Sequence, residues 1–555
     1  MKYVLPVCFL LYGAFGALTL SAQTTPFTTK EYLDINNIRA AQLVHGDMWW
    51  DPATSAPQCE YPKGSGKHVG FAASLWMAGY DSQGQLKVAA QTYRSDGNDY
   101  WPGPITSVAV SYSESEKWAK IWKLNRSDLD AFLAQSTHTV ANTPAAILTW
   151  PANGNTYATG YNNMPLTINT HVAPFRDQNN NGIYEPLLGD YPEMKGDQML
   201  WYVFNDNGPV HDQSNAMPLG VEVQCMAYAY DQNSNYENML FYDYKVINRS
   251  GLNLDSFVLG IKTDADLGYA FDDYIGFDSL GSLAIMYNGD VIDGAGEPTS
   301  YGDSIPVVGI KVLLMPGDTC GNATPAGSFM YHNNSTDPRT GDPADAVQFN
   351  NYLRSRWRNG SALTNDYQGP GIASAGTGAG PQARYAFSGN PANSSEWSEC
   401  SSMNPPGDRR FVIASQPFSL TAGSSITFAT ALIVAPMSKS NACPMVDFSI
   451  IRNMSDSAQK IFCNPPVYTS VTDMAGTYKS LWLYPNPASS TISLQVAQMH
   501  GESVVVFDAL GRKADISARR NGDNMEVNVS KLAKGVYYVI YRANDKAISG
   551  SFIKE

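Results

Sequence analysis

The chain has 555 residues, with 37 Lys and Arg against 51 Asp and Glu, so its formal net charge is −14. This acidic balance argues against nucleic acid as a partner and makes divalent cations natural ligands. Only 16% of the residues are charged, whereas Gly, Pro and Tyr are abundant. Such a composition is not that of a helical bundle, and it favours a mainly β, multi-domain extracellular protein.

Residues 1–22 have the pattern of a signal peptide. Lys2 provides a short positive segment, residues 4–20 are almost unbroken apolar sequence, and Ala22 precedes an imperfect cleavage site. The apolar run is short for a membrane span and lacks a basic flank, and no other segment is long and apolar enough to cross a bilayer. We therefore expect export through the periplasm and no transmembrane span.

Residues 23–200 are predicted to form an N-terminal β-rich region that contains a pair of helices. Trp118 and Trp122 lie at helical spacing and predict a first helix over residues 113–124. A second helix is predicted over residues 127–134, where a serine provides a good N-cap. The two tryptophans are expected to pack in the core.

Aromatic side chains are dense in the first third of the chain. Exposed rings stack on sugar faces in carbohydrate-binding proteins, so glycan binding is an alternative function for this region. Large aromatic side chains are also standard core components, and burial is the prediction for most of them. The residues concerned are Trp49, Trp50, Trp76, Tyr93, Tyr100, Trp101 and Trp150.

The strongest chemical signal resembles the first half of an EF-hand calcium loop. Oxygen-bearing side chains alternate, a glycine permits a sharp turn and a backbone carbonyl follows, which suits Ca²⁺ because it takes six to eight oxygen ligands. Leu188 stands at the twelfth loop position instead of glutamate, so other carboxylates must complete the shell, and we expect modest affinity. A metal-free Asx turn is the alternative. The predicted structural calcium ligands are Asp177, Asn179, Asn181, Ile183 through its carbonyl, Glu185 and Asp190.

Residues 201–463 are predicted to form a β-sandwich-like region, because the apolar strands become longer and more regular there. A helix over residues 445–461 closes this region. The polar, glycine-rich stretch 360–408 is predicted to be a long surface loop outside the core. Residues 464–482, with Pro, Thr and Ser, make a linker. The clearest strands are residues 221–230, 241–248 and 256–263.

A second group of acidic residues lies in this region, with five aspartates within a stretch of fifteen residues. So many neighbouring carboxylates repel one another unless a cation neutralises them, which suggests a second calcium site. Plain aspartate turns are one alternative, and a carboxylate pair for glycoside hydrolysis is another. The group consists of Asp264, Asp266, Asp272, Asp273 and Asp278.

Other enzyme signatures are missing from the sequence. There is no G-x-S-x-G or H-E-x-x-H motif, and the seven histidines are scattered without ligand spacing. Six cysteines remain after signal removal, an even number that permits disulfides in an exported chain. Cys443 and Cys463 flank one helical segment and are the first pair expected to bond, with buried free thiols as the alternative.

Residues 483–555 are predicted to form a small Ig-like antiparallel β-sandwich, because short alternating strands follow one another between turn signals. Four of its motifs, Y-P-N-P, D-A-L-G-R, L-A-K-G-V-Y and the closing F-I-K, resemble the type A C-terminal sorting domain of the Bacteroidota type IX secretion system. The motif residues are Tyr484, Pro485, Asn486, Pro487, Gly511, Arg512, Gly535 and Lys554.

This resemblance implies recognition by the outer-membrane translocon, followed by cleavage by a surface sortase and attachment to lipopolysaccharide, or release. Phrases such as W-M-A-G at Trp76 and Y-D-Y-K-V-I-N-R-S at Tyr242 also resemble secreted Bacteroidota proteins of unknown function that carry the same sorting domain. That resemblance spans most of residues 34–460 and transfers no catalytic residue.

The sequence thus predicts a calcium-stabilised, non-catalytic protein at the outer-membrane surface or outside the cell, with a structural, adhesive or binding role. Surface lipopolysaccharide or glycans are its expected partners besides the secretion machinery. The alternative is a secreted polysaccharide-binding or polysaccharide-degrading enzyme, which would place two of the aspartates in an open cleft lined by Trp or Tyr.

Overall fold

The chain forms two compact units, residues 1–467 and residues 468–555, called the body and the sorting unit below. The predicted signal peptide, most of the predicted linker and Gly511 lie outside the residues that the structure describes. The structure, a computed structural model, describes residues 28–555 except 93–96, 107–108, 170–171, 232–235, 321, 467–482, 496–502, 510–511, 522–523 and 544–545.

The body is mainly β, as predicted. Its strands are β1 (Lys30–Leu33), β2 (Arg39–Leu43), β3 (Trp50–Asp51), β4 (Ala56–Pro57), β5 (Cys59–Glu60), β6 (Ala72–Tyr80), β7 (Leu86–Ala89), β8 (Trp101–Pro102), β9 (Trp122–Asn125), β10 (Phe175–Arg176), β11 (Tyr191–Pro192), β12 (Gln198–Asn205), β13 (Val221–Ala229), β14 (Met239–Asn248), β15 (Leu254–Asp264), β16 (Asp273–Asp278), β17 (Leu283–Asn288), β18 (Val308–Leu314), β19 (Ser328–Asn333), β20 (Arg409–Ala414), β21 (Phe418–Leu420) and β22 (Ser425–Val434).

Helices are short apart from the one that closes the body. They are α1 (Tyr112–Lys117), α2 (Arg126–Leu133), α3 (Ala145–Leu148), α4 (Ala346–Tyr352), α5 (Glu399–Ser402) and α6 (Ser449–Cys463), with 3₁₀ turns at Tyr161–Asn163, Pro186–Leu188 and Lys439–Asn441. In the described part of the chain, no helix has the length and apolar character that a membrane crossing requires.

Two antiparallel sheets dominate the body. The larger one has nine strands among the described residues, in the order β16-β17-β18-β22-β14-β13-β12-β8, with β9 also paired to β12. The second has the order β19-β20-β15-β6-β7, with β21 also paired to β15. Both sheets contribute side chains to one hydrophobic core. Phe277 of β16 stacks on Phe329 of β19 with ring centroids 4.6 Å apart. The body is therefore a β-sandwich.

At strand β12, the outer face of the larger sheet is also covered. Every residue of β12 is buried, although side chains of a strand alternate between two faces. Tyr202 faces the shared core, whereas Trp201 lies against Trp122 and Trp150, with centroids 5.7 and 5.5 Å apart. The boundary predicted between residues 200 and 201 falls inside β12, so the two predicted regions share this strand.

The first predicted helix is right only in its first half. α1 ends at Lys117, and the segment from Trp122 onward is strand β9. β9 pairs with β12, where Trp122 lies opposite Trp201, and this ladder supplies the backbone hydrogen bonds that a helix would have made. Trp118 and Trp122 are buried in the core, as predicted.

The prediction that residues 360–408 stay outside the core is wrong. Phe387 and Trp397 are buried, with their ring centroids 5.3 Å apart. The Asp366 carboxylate accepts hydrogen bonds from the backbone of Gly376 (3.1 Å) and Gly378 (2.7 Å). Polar side chains thus satisfy the backbone of a loop that folds around apolar residues, which composition alone does not reveal.

The predicted disulfide between Cys443 and Cys463 is wrong. Helix α6 lies between these residues, and a helix of this length spans about 22 Å, far beyond the reach of one disulfide. Cys400 bonds to Cys443 and Cys320 to Cys463, with Cα atoms 5.8 and 5.5 Å apart. The remaining two described cysteines, Cys59 and Cys225, are buried free thiols, and burial raises the pKa of each.

The sorting unit is a small antiparallel β-sandwich, as predicted. Its strands are β23 (Leu483–Tyr484), β24 (Thr491–Gln495), β25 (Ser503–Asp508), β26 (Ser517–Asn521), β27 (Asn524–Asn528), β28 (Gly535–Ala543) and β29 (Lys546–Lys554). They form two sheets with the orders β23-β24-β27-β26 and β25-β28-β29. Leu494, Val506, Val527 and Val539 belong to the core between these sheets.

Candidate functional site

The predicted calcium loop is a series of turns in which side chains accept backbone hydrogen bonds. Asp177 Oδ2 accepts from Gly182 N (2.7 Å). The side-chain oxygens of Asn179 and Asn181 each accept from the backbone two residues further on (3.1 and 2.7 Å). Gly182 has φ +78°, the left-handed conformation that favours glycine at this sharp turn. These are the hydrogen bonds of Asx turns, which from the sequence are the metal-free alternative to a calcium loop.

Two carboxylates close the loop from opposite sides. Glu185 Oε2 accepts from the side-chain amides of Asn179 (3.2 Å) and Asn181 (2.6 Å). Asp190 is fully buried and accepts from the backbone of Gln178 and Glu185, both at 2.8 Å. The carboxylates that we expect to replace the missing twelfth ligand thus belong to the same hydrogen-bonded loop as the asparagines.

One oxygen of the loop has no hydrogen-bond partner in the described part of the chain. This atom is Asp177 Oδ1, which is buried. Ile183, which is 43% exposed, could offer only its backbone carbonyl as a ligand. A buried carboxylate oxygen without a donor favours a nearby cation, and an all-oxygen donor set matches the preference of Ca²⁺.

The five carboxylates of the second acidic group do not converge on one point. Asp272 and Asp273 each accept a backbone hydrogen bond (2.8 and 2.9 Å), and burial raises the pKa of Asp272 to about 6. Asp278 forms an ion pair with Arg452 of α6 (2.9 Å). These three side chains hold turns and a helix in place. Burial raises the pKa of Asp273, and the neighbouring charges of Asp272 and Asp266 add to that rise.

Asp264 and Asp266 instead approach Asp408, a residue that no sequence motif marks. β15 and β20 are antiparallel, with Asp264 opposite Arg410, and the backbone ladder continues one residue further. Alternate residues of a strand share a face, so Asp266 and Asp408 lie next to the first pair. One carboxylate oxygen of each aspartate lies within 4.8 Å of the other two. We call Asp264, Asp266 and Asp408 the acidic cluster.

Two buried cations contact the acidic cluster. Arg410 Nε lies 3.1 Å from Asp264 Oδ2, and its Nη1 donates to both oxygens of Asp342 (2.7 and 2.6 Å). Lys262 Nζ lies 3.8 Å from Asp264 Oδ2. Burial opposes ionisation of Asp342, but His332 and the Arg410 charge hold its pKa below the ordinary value. In the sequence, the only sign of this polar face is the presence of charged residues within otherwise apolar strands.

Lys262, Asp342 and Arg410 border a cleft of about 460 Å³. His332 lies opposite Arg410 in the β19–β20 ladder, and burial lowers its pKa, so the ring is neutral near pH 7. The cleft is mostly polar, and its described lining contains no Trp or Tyr. The lining residues are Thr92, Asp212, Gln213, Asn215, Lys262, His332, Asn334, Ser335, Thr336, Asp342, Pro343, Ala344, Arg358 and Arg410.

The predicted hydrolase geometry needs two of the aspartates in an open cleft with aromatic walls. The structure describes two further clefts, one lined by Trp201 and one lined by Met217. The described linings of all three clefts contain none of the acidic cluster, and they contain neither Asp272 nor Asp273. Asp264 and Asp273 are also fully buried. The arrangement of two of these aspartates in an open cleft with aromatic walls is thus not found at these three clefts.

The aromatic residues of the first third are buried, except that Tyr93 lies outside the described residues. The described ones have exposures of 0 to 3%, which leaves no ring of this set open to stack on a sugar. The core interpretation is confirmed for Trp49, Trp50, Trp76, Tyr100, Trp101 and Trp150.

The motifs of the sorting unit join its first and last strands. Asn486 Oδ1 accepts from Ile553 N (2.9 Å), and Asn486 Nδ2 donates to Ser551 O (3.2 Å). Gly535 and Lys554 lie opposite each other in the β28–β29 ladder. Tyr484, Pro485 and Pro487, which flank Asn486, are exposed, as is Arg512 in the following motif. The motif residues thus contribute both to the closure of the sandwich and to an accessible surface.

Comparisons with solved structures give only weak likenesses. A polysaccharide lyase matches with 8% identity and a TM-score of 0.19, covering 60% of this chain and 34% of the lyase chain. The N-terminal periplasmic domain of ScsB from Proteus mirabilis matches with 9% identity and a TM-score of 0.12, covering 60% of this chain and 93% of that domain. At such TM-scores neither likeness bears on fold or activity. No curated protein sequence matches the chain.

A family comparison identifies the C-terminal unit. Residues 482–555 match the family described as secretion system C-terminal sorting domain. The match coincides with the small β-sandwich and with the four motifs described above. Residues 482–555 are therefore a sorting domain of this family, and the chain is a type IX secretion substrate that interacts with that machinery and is exported to the cell surface or the extracellular space.

Proposed function

We propose that the protein is a non-catalytic component of the cell surface, with a structural, adhesive or binding role, and that calcium in the 177–190 loop stabilises its body. The loop gathers the oxygen donors of Asp177, Asn179, Asn181, Glu185 and Asp190. The observation that carries the proposal is the buried Asp177 Oδ1, which has no hydrogen-bond partner in the described part of the chain. A structural ion suits an exported protein, because extracellular calcium modules function at millimolar to submillimolar affinity.

The use of the other carboxylates supports a structural role. Asp264 and Asp278 form ion pairs with Arg410 and Arg452, and Asp273 holds a backbone amide. A polysaccharide-degrading enzyme would need an accessible acid and a nucleophile or base at a defined separation. A fully buried, ion-paired carboxylate such as Asp264 is poorly suited to meet a sugar.

The proposal includes the fate of the exported chain. The sortase would remove the sorting domain and attach the body to lipopolysaccharide, or release it. In cells of a type IX-competent host, the surface form should then be shorter than the periplasmic form by about the length of residues 483–555. Recovery of the intact chain at the surface would contradict cleavage.

Calcium titration of the chain from Gln23 to Glu555 tests the stabilising role. Calorimetry should show binding in the wild type, and the melting temperature should rise with calcium. Asp177→Ala should weaken both effects, whereas Asp303→Ala, at an exposed position, should leave them unchanged. A melting temperature that is independent of calcium in the wild type would rule out the calcium-stabilised body.

A further inference from the structure

We propose that the acidic cluster of Asp264, Asp266 and Asp408 holds a hard divalent cation, with Ca²⁺ as the preferred ion, between strands β15 and β20. This site is separate from the 177–190 loop and does not depend on calcium binding there. It belongs to the polar face that borders the cleft near His332.

The fold itself assembles the three ligands. Asp264 ends β15 and faces Arg410, the second residue of β20. Asp266 follows β15 by two residues and Asp408 precedes β20, so both continue the face on which Asp264 and Arg410 lie. Their carboxylate oxygens lie within 4.8 Å of one another. Ligands 2.3–2.6 Å from one Ca²⁺ are at most about 5 Å apart, so the spacing fits a single ion.

Unpaired oxygens provide independent support. The Oδ1 atoms of Asp264, Asp266 and Asp408 are each buried without a hydrogen-bond partner in the described part of the chain. The Asp264 side chain is only 1% exposed. Buried polar atoms of folded proteins are normally satisfied. Arg410 Nε lies 3.8 Å from Asp408 Oδ1, beyond hydrogen-bond distance, so these three carboxylates can accept a further positive ligand. Asp266 and Asp408 keep partial exposure, which gives an ion a path of entry.

The described charges around the cluster are negative in sum, which favours a cation there. Asp264, Asp342 and Asp408 lie within ion-pair distance of Arg410, and Lys262 adds the second positive charge. With Asp266, these described residues provide four carboxylates against two cations, and Asp47, which also faces Lys262, adds a fifth carboxylate, so negative charge is in excess when all are ionised. The ligands are oxygens, without Cys or His among them, so a hard ion such as Ca²⁺ fits better than Zn²⁺.

Calorimetry with Ca²⁺ on the chain from Gln23 to Glu555 tests this site. Asp266→Asn and Asp408→Asn should each lower the stoichiometry by one ion, or the affinity of one ion at least tenfold. Asp206→Asn is the matched control, because Asp206 is as buried as Asp264 but both of its carboxylate oxygens accept backbone hydrogen bonds outside the cluster, from Leu219 N and Val221 N. Unchanged binding in both cluster variants, or an equal loss in the control, would overturn the proposal.

The same titration separates the two calcium sites. If only the loop binds, Asp177→Ala removes all binding and the cluster variants remove none, which overturns the second site. If only the cluster binds, the effects are reversed. Crystals of the wild type soaked in Mn²⁺ give a readout that does not depend on the folding of a variant. An anomalous peak among the three carboxylates supports the site, and its absence at saturating Mn²⁺ contradicts it.

Discussion

The 177–190 loop and the acidic cluster place carboxylates in contrasting ways. In the loop, successive residues of one segment provide the donors, and Gly182 supplies the turn that brings them together. In the cluster, Asp264 and Asp266 meet Asp408 only because two strands pair in one register. The loop therefore depends on local turn chemistry, whereas the cluster depends on the whole sandwich and should be far more sensitive to loss of a neighbouring charge.

The largest expected effect concerns Arg410, which contacts Asp264 and Asp342. Its side chain is 3% exposed, and Arg410→Met would leave buried carboxylates without their counter-ion. Breaking such a pair costs about 3–5 kcal/mol of unfolding free energy. Chemical denaturation should measure this loss. Arg176→Met is the control, since Arg176 is 59% exposed beside Glu193, and exposed pairs contribute about 0–1 kcal/mol.

Equal losses in these two arginine variants would contradict the contrast between a buried network and an exposed ion pair. Added calcium offers a second check. If an ion occupies the acidic cluster, saturating calcium should recover part of the stability of Arg410→Met by neutralising Asp264. The exposed control has no such buried carboxylate to neutralise, so its stability relative to the wild type should not change with calcium.

The pH should change the stability through Asp47, a buried residue that faces Lys262. Burial raises the pKa of Asp47 to about 7, above the ordinary value of 3.8. The folded state therefore holds this proton more tightly than the unfolded state, and the carboxyl lowers stability as pH rises from about 4 to about 7. The penalty at and above pH 7 is of the order of 4 kcal/mol, at about 1.4 kcal/mol for each pKa unit.

Asp47→Asn should remove this penalty. The gain in unfolding free energy of the variant over the wild type should be small near pH 4 and largest near pH 7, because the wild-type carboxyl is neutral at the lower pH. Denaturation curves of both proteins at several pH values measure this difference in unfolding free energy. The contributions of the other titrating groups are the same in both proteins and cancel to first order. A gain that does not change with pH would show that Asp47 does not titrate in this range.

Elements with strong local signals could be predicted from the sequence. Strands β13, β14 and β15 match the predicted apolar segments within two residues at each end, and the sorting unit follows from its alternation and turns. α6 begins at Ser449 and not at residue 445, after the turn that contains Pro444. The residues of the 177–190 loop were equally accessible to prediction, because all donors lie in one segment.

Features set by distant partners could not be predicted. Trp122 has helical spacing to Trp118, but pairing with β12 makes it part of a strand. Phe387 and Trp397 lie in polar sequence, yet they pack in the core. Asp408 joins the acidic cluster through strand register, and one sequence without the fold does not reveal which strands pair. The disulfide prediction was wrong for the same reason, because the bonded cysteines are brought together by the fold.

The proposed calcium affinity of the 177–190 loop can be tested by adding the ligand that the sequence lacks. Leu188 stands at the twelfth position of the predicted loop and is 64% exposed, so a polar replacement should be tolerated. Leu188→Glu should tighten calcium binding about tenfold, or about 1.4 kcal/mol, by adding a carboxylate ligand. Leu188→Gln, of similar size but neutral, should not. Equal affinities of the two variants in calorimetry would show that the loop does not follow EF-hand geometry.

The smallest effects on stability are expected in the sorting unit, where two motif residues separate folding from recognition. Asn486 bonds to the backbone of Ile553 and Ser551, so Asn486→Ala should lower the stability of this unit by about 1–2 kcal/mol. Arg512 is 75% exposed and pairs with Asp508, so Arg512→Ala should cost less than about 1 kcal/mol.

Export efficiency, measured as the surface fraction in a type IX-competent host, then distinguishes the two roles. If the translocon reads the exposed motif surface, Arg512→Ala should reduce export despite its small effect on stability. Arg519→Ala is the control, because Arg519 is 80% exposed in a comparable ion pair with Glu526 outside the four motifs. A similar reduction in both arginine variants would mean that export responds to surface charge in general. A reduction confined to Asn486→Ala would mean that the machinery requires the closed sandwich and not the Arg512 side chain.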